Sequence, residues 1–164
     1  MTAYQIVPIA EEHISGFRVA VDVVAREKKY LAFLEAPPLE EVTRFVLGNI
    51  ERGYPQFVVL SDSTVAGWCD VIPNRTRVIY SHCGTLGIGL LPDFRGRGIG
   101  RQLMQQTIDA AFGLTRIELT VREGNVNAIA LYKSLGFETE GLHRNAVRIE
   151  GRYENLYSMA LLRV

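Results

Sequence analysis

The run Arg95-Gly96-Arg97-Gly98-Ile99-Gly100-Arg101 constrains this chain more than any other stretch. Before it, Val78 to Leu90 is β-rich; after it, Ile99, Leu103, Ile108 and Ala111 recur at helical spacing. The run therefore sits where a strand hands over to a helix. Its glycines remove every second Cβ, so successive backbone N–H groups can converge on one point. A helix opening near Gly98 adds unpaired N–H donors and a partial positive charge of roughly half an electron. Arg95, Arg97 and Arg101 add cations. Such a loop is suited to an anion, and a di- or triphosphate fits it. Taken alone, the run also reads as an ordinary Gly-rich turn.

The two commonest nucleotide loops are excluded by spacing. A P-loop needs Gly-Lys-Ser or Gly-Lys-Thr after the glycines, and neither is present. A dinucleotide fingerprint needs G-x-G-x-x-G early in a βαβ unit; Gly96-x-Gly98-x-Gly100 has the wrong last interval.

The remaining elements surround this junction. Tyr4 to Ile9 reads as a first strand. Glu11 to Lys28 is a helix with Ile14, Phe17, Val21 and Val24 on one stripe, and Pro37-Pro38 closes the irregular segment after it. Leu39 to Arg52 is a second helix, with Val42, Phe45, Val46 and Ile50 on one face. Strands follow at Gln56 to Leu60, Val65 to Ile72 and Val78 to Leu90, separated by Ser61-Asp62-Ser63 and Pro73-Asn74-Arg75-Thr76. Arg116 to Val121 is a strand, Ala128 to Leu135 a short helix, and the tail two strands around Glu150-Gly151. The order β-α-α-β-β-β-α-β-α-β-β predicts an α/β (α+β) domain, with a mixed sheet of about six to seven strands flanked by four helices. With 164 residues and no linker or repeat, the expectation is a single domain over 1–164.

Composition narrows the partners. Apolar residues make up 48% and charged residues 22%, so neither a disordered nor a collagen-like chain fits. A formal net charge of zero speaks against nucleic acid. Cys69 and Cys83 form no C-x-x-C pair, so no metal site is expected. The first ten residues lack a basic stretch, and no apolar run approaches the roughly 20 residues of a membrane span. The expectation is a cytoplasmic protein with reduced thiols and no membrane partner.

Residue for residue, the Gly-rich run resembles the GCN5-related N-acetyltransferase (GNAT) family, whose motif (Arg or Gln)-x-x-Gly-x-(Gly or Ala) is met by Arg95-x-x-Gly98-x-Gly100. A second block, Asn125 through Ala128-Ile129-x-Leu131-Tyr132 to Gly136-Phe137, matches the family too, as does a tail from Gly151-Arg152-Tyr153 to Ser158-Met159-Ala160-Leu161. Together they cover about Gly87 to Leu162; the first half matches only in element order. The pattern is most like that of bacterial amino-acid or protein-terminus acetyltransferases.

The resemblance implies the GNAT fold and an acetyl-CoA-dependent transfer to a primary amine: an amino acid, a small amine or a protein N-terminus. A coenzyme A-binding sensor without catalysis is the alternative. The pyrophosphate would lie on the amides of Gly96, Arg97, Gly98, Ile99, Gly100 and Arg101, with Arg95 beside them. The pantetheine arm would run along Ile88-Gly89-Leu90, and Asn125 would contact the cofactor or cap its helix. Gly87 and Gly89 suit a close backbone approach or a kinked strand edge. Tyr132 aligns with the family's general acid; a phenol near pKa 10 and a thiol near 8.5 are roughly matched. The family often dimerises, so a homodimer is implied, though no stripe here marks an interface.

The amine must be neutral to attack. Some family members carry a Glu where this chain has Thr120. Glu118, two residues earlier and on the same strand face, is the candidate base or else an arginine's partner. If Asn74 to Arg77 closes a regular hairpin, Asp70 faces His82 and Cys69 faces Cys83. His13 and His143 are expected at the surface. The family builds its acceptor pocket between the first two helices, which here brings in Tyr30, Phe33, Leu34 and Glu35, with Trp68 below; ordinary loop packing is the other reading.

Overall fold

A computed structural model describes residues 3–163. Seven strands form one sheet: β1 (Gln5–Pro8), β2 (Gln56–Ser61), β3 (Thr64–Pro73), β4 (Cys83–Leu90), β5 (Arg116–Arg122), β6 (Glu138–Ile149) and β7 (Arg152–Leu162). Four α-helices accompany them: α1 (Ile14–Arg26), α2 (Leu39–Arg52), α3 (Ile99–Asp109) and α4 (Val126–Ser134). The strand order is β1-β2-β3-β4-β5-β7-β6. Every neighbouring pair is antiparallel except β4 with β5.

That exception shapes the molecule. The parallel pair is only Cys83↔Arg116, Gly84↔Ile117 and Thr85↔Glu118. Beyond it, β4 stays with β3 as far as Leu90 while β5 stays with β7 as far as Arg122. The sheet therefore splits after Thr85 and Glu118, leaving one edge of each strand unpaired. Unpaired strand edges carry N–H and C=O groups that seek a partner.

Each sheet face has its own core. On one face, Ile99, Leu103 and Met104 of α3 and Tyr132 of α4 pack on Cys69, Ile117, Leu119 and Met159. On the other, Phe17 and Val24 of α1 and Val42 and Val46 of α2 pack on Val58 and Trp68. Strand pairing then sorts β3 and β4: Trp68, Asp70, Gly87 and Gly89 share the α1–α2 face, whereas Cys69 and Ile88 face α3.

Three sequence expectations are corrected. The strand placed over Val78 to Leu90 begins only at Cys83; Val78–Tyr80 is a single 3-10 turn. The Asn74 side chain holds the start of this connection, accepting from the Thr76 N–H at 3.1 Å and its hydroxyl at 2.7 Å. Asn74 N–H then donates to the Cys83 carbonyl at 2.8 Å, closing a long loop instead of a tight hairpin. The register is accordingly Asp70↔Gly87 and Cys69↔Ile88, so Asp70 does not face His82 and Cys69 does not face Cys83. On α2, Phe45 and Ile50 are exposed, and the buried stripe is Val42, Val46 and Asn49. Asn49 points inward because its amide donates to Gln56 Oε1 at 3.0 Å.

Candidate active site

The Gly-rich loop leaves β4 through a 3-10 turn at Pro92–Phe94 and enters α3 at Gly98. Gly96 and Gly98 have φ of +73° and +79°, a region costing other L-residues roughly 1–2 kcal/mol. No atom lies within 4 Å of a Cβ built on either, so backbone angle and not space requires glycine there. Gly100 differs: a Cβ would meet Leu131 and Leu90 side chains at 3.4 and 3.5 Å, which is ordinary contact. Among the described residues, no backbone N–H from Gly96 to Arg101 donates to a protein acceptor. A row of free donors at a helix start is an anion cradle by chemistry.

The three arginines divide. Arg97 lies over Phe94 and is exposed. Arg101 donates to Ser134 Oγ at 2.7 Å. Arg95 grips Glu27 at the end of α1 with two bonds of 2.9 and 2.6 Å, donates to the Leu90 carbonyl at 3.0 Å, and stacks on Tyr30. Its guanidinium is thus spent on latching α1 to the loop. The paired Arg95 holds the Glu27 carboxyl below its usual range.

Ile88, Gly89 and Leu90 form the β4 edge left free by the split. Gly89 is glycine because of Trp68: a Cβ there would stand 2.2 Å from the indole ring. Trp68 itself is buried against Phe17 in an edge-on pair, so it belongs to the core and not to a pocket floor.

Tyr132 is buried beside Phe137 in the α3-face core. No side chain or backbone group among the described residues bonds its hydroxyl. Yet no fully enclosed side-chain oxygen lacks a partner there, so this hydroxyl opens onto accessible space. Burial pushes its pKa further above the ordinary phenol value. A phenol so raised is a weaker proton donor than an ordinary tyrosine. Asn125 is the N-cap of α4, accepting from Ala128 N–H at 3.4 Å.

Glu118 is the partner of Arg116, at 2.9 Å, and that guanidinium also binds Glu140. Tyr30 lines two adjoining grooves, of about 640 Å³ and about 330 Å³. The larger lies at the start of α4 and includes Asn125, Lys29, Glu123 and Asn155. The smaller lies between the α1–α2 connection and the β6–β7 hairpin, with Leu31, Leu34, Thr120, Val147, Arg148 and Ile149 on its walls. Neither groove is lined by Phe33, Glu35 or Glu118; Glu35 sits at the surface near Arg26. Arg122 lines both grooves and was not expected from the sequence. It is 5% exposed and donates to the carbonyls of Lys28 at 2.6 Å and Leu31 at 2.7 Å, fastening the α1–α2 connection to β5. Its position just past the alternation ending at Val121 was the available signal.

The Acetyltransferase (GNAT) family matches residues 21–137. The chain belongs to this family. Over 126 residues it is 33% identical to the ribosomal protein bS18-alanine N-acetyltransferase of Salmonella typhimurium, covering 76% of this chain and 80% of that one. It is 34% identical to the L-amino acid N-acetyltransferase AaaT of Escherichia coli, covering 66% and 68% of the two chains. The fold superposes on yncA of Salmonella typhimurium, solved with its cofactor acetyl-CoA, at a TM-score of 0.90; identity is 19%, over 98% of this chain and 94% of that chain. The chain is thus an acyltransferase that uses acetyl-CoA to acetylate an amine nitrogen. Among the described residues no helix is long and apolar enough to cross a membrane, and no cluster of side chains suits a metal.

Proposed function

We propose that the acceptor is an α-amine, either a free amino acid or a protein N-terminus, and that it approaches through the groove between Tyr30–Leu34 and the β6–β7 hairpin. The lining of that groove carries the reading: it holds apolar side chains with Arg122 and Arg148 and no carboxylate. A polyamine would meet the Arg148 cation there, beside an Arg122 already held by two carbonyls and 3.8 Å from Glu154, whereas an amino acid's carboxylate or a peptide's carbonyls would meet donors. The relatives acting on a ribosomal-protein alanine and on L-amino acids support the same class.

In this reading the free amides of Gly96 to Arg101 receive the pyrophosphate of acetyl-CoA, and Ile88-Gly89-Leu90 offers its open edge to the pantetheine arm. Acetyl-CoA supplies the thioester. The amine attacks its carbonyl directly, and the Tyr132 hydroxyl hydrogen-bonds the departing sulfur. An α-ammonium of pKa about 8 loses its proton at pH 7 for only about 1 kcal/mol, against 4–5 for a lysine side chain. Asn125 acts through its cap, by fixing α4 and with it Tyr132. One domain spans the chain, and the cytoplasm and a homodimer are its setting in this reading. Thiol release with a panel of amino acids, N-terminal peptides, a polyamine and an Nα-blocked lysine tests it. Release should follow the α-amines; release confined to the polyamine or the lysine side chain would overturn it.

A further inference from the structure

We propose that Asp70 takes the proton from the acceptor ammonium across the gap above Gly87, a role that rests on the α-amine reading above. Asp70 lies mid-strand in β3, 8% exposed, on the face shared with α1 and α2. Its one donor among the described residues is Gln56 Nε2, a long 3.5 Å from Oδ2, and Gln56 is itself held by Asn49. Oδ1 has no donor among the described residues. Since no fully enclosed side-chain oxygen there lacks a partner, Oδ1 reaches accessible space.

Gly87 tells where that space is. A Cβ on Gly87 would lie 3.4 Å from Asp70 Oδ1 and, among the described residues, within 4 Å of no other atom beyond its chain neighbours. The missing side chain leaves a gap of methyl or water size with a carboxylate on its wall. Gly87 stands two residues past Thr85, the last residue of β4 paired to β5. The same step along β5 leads from Glu118 to Thr120, which lines the acceptor groove. The gap therefore lies at the mouth of the split, on the sheet face that Thr120 shares, beside the groove and not among its lining residues.

Among the described residues no cation is paired with Asp70. The groups facing it are Gln56 from β2, Asn49 from α2 and Gly87 from β4. The adjacent Cys69 points to the other face, and burial pushes its thiol far up, so it is neutral. Glu118 on β5 is engaged by Arg116. Burial without a counter-charge pushes the Asp70 carboxyl up to about 7, close to an α-ammonium near 8. A base so placed is better matched to its task than an ordinary carboxylate.

The ammonium gives one proton to Asp70, directly or through one water in the gap, and becomes a neutral amine. Its lone pair forms the N–C bond at the thioester carbonyl. The C–S bond breaks with its electron pair on sulfur, and the second proton of nitrogen passes to that sulfur. Asp70 returns its proton to solvent, so one proton is released per amide formed.

The test uses the full chain, as wild type and Asp70→Asn, with an α-amine that the wild type acetylates. kcat/KM for thiol release should fall below about pH 7 in the wild type. In Asp70→Asn it should drop on the order of 100-fold above that pH, and its acidic limb should move up to the amine's own pKa of about 8, with acetyl-CoA affinity unchanged. Carboxyl carbon NMR of the free protein should show a resonance titrating near 7 that Asp70→Asn removes. A variant that keeps the rate and the acidic limb, or a carboxyl that titrates near 4, overturns the role. Gly87→Ala fills the gap without touching charge. It should cut kcat while the Asp70 resonance still titrates, and it decides the matter if Asp70→Asn fails to bind acetyl-CoA; full activity in Gly87→Ala overturns the role. A wild type releasing no thiol with any α-amine overturns the amine reading itself, before any variant is made.

Discussion

The loop that opens α3 and the groove beside β5 are built by different means. The loop is backbone: consecutive amides freed by two positive-φ glycines, all within seven residues of sequence. The groove is side chain, gathered from the α1–α2 connection, β5, β6 and β7. A backbone site needs a few residues in order, and its pattern can be read along the chain. A side-chain site needs distant segments to meet, and those meetings are decided by the fold.

The loop should break most sharply at Gly98. Gly98→Glu combines a strained φ with an anion placed where the proposed pyrophosphate would lie. Acetyl-CoA affinity should fall by about 100-fold or more, at roughly 1.4 kcal/mol per tenfold, read by calorimetry. Unchanged affinity would remove the cradle assignment.

Tyr132→Phe comes next and separates binding from chemistry. It deletes only the hydroxyl that opens onto accessible space. Turnover should fall roughly 10- to 100-fold with acetyl-CoA affinity held, less than a full general acid would lose. A wild-type turnover would show that the hydroxyl only packs.

On the groove side, Arg122→Met tests what side chains contribute. It removes two charge-assisted bonds to the Lys28 and Leu31 carbonyls. Loss of about 2–3 kcal/mol in stability is expected, together with a higher KM for the amine and an unchanged affinity for acetyl-CoA. A change confined to acetyl-CoA binding would mean that Arg122 serves the other side of the cleft.

The same contrast explains what was legible. Arg95-x-x-Gly98-x-Gly100 and Asn125 to Phe137 disclosed the family, and the periodicities disclosed all seven strands and four helices. The motif sets Arg95 beside the phosphate amides, but its partner Glu27 is 68 residues away, and no local pattern announces that latch. The pattern offers Gly89 as a close approach for the cofactor or as a kink in an edge strand, yet it is Trp68 across the strand pair that forbids a side chain. The register that sets Asp70 opposite Gly87 hinged on a loop whose length depends on Asn74 and a 3-10 turn. Hairpin register is fixed by turn geometry, and a wrong turn shifts every pair after it.

The latch offers a smaller, pH-dependent test. Arg95 lowers the Glu27 pKa, so the folded state favours the ionised form. The latch stabilises above the unfolded Glu value of about 4.3 and is lost as pH falls through the lower folded value. Glu27→Gln should therefore cost about 1 kcal/mol at neutral pH and progressively less below about pH 4, by denaturant titration. A pH-independent difference would mean that the pair contributes by packing and not by charge.

Gly100→Ala should do least, and that is its value. Gly96, Gly98 and Gly100 look equivalent in the sequence, but only the first two adopt positive φ, while a methyl at Gly100 meets Leu131 and Leu90 at ordinary contact. The donor at this position is the backbone N–H, which alanine keeps. Stability should change by no more than about 0.5 kcal/mol, with alanine's helix preference offsetting any crowding, and acetyl-CoA affinity should stay within about twofold. A large loss of affinity would mean that the ligand approaches Gly100 more closely than a methyl permits, and that the loop selects by space as well as by backbone angle.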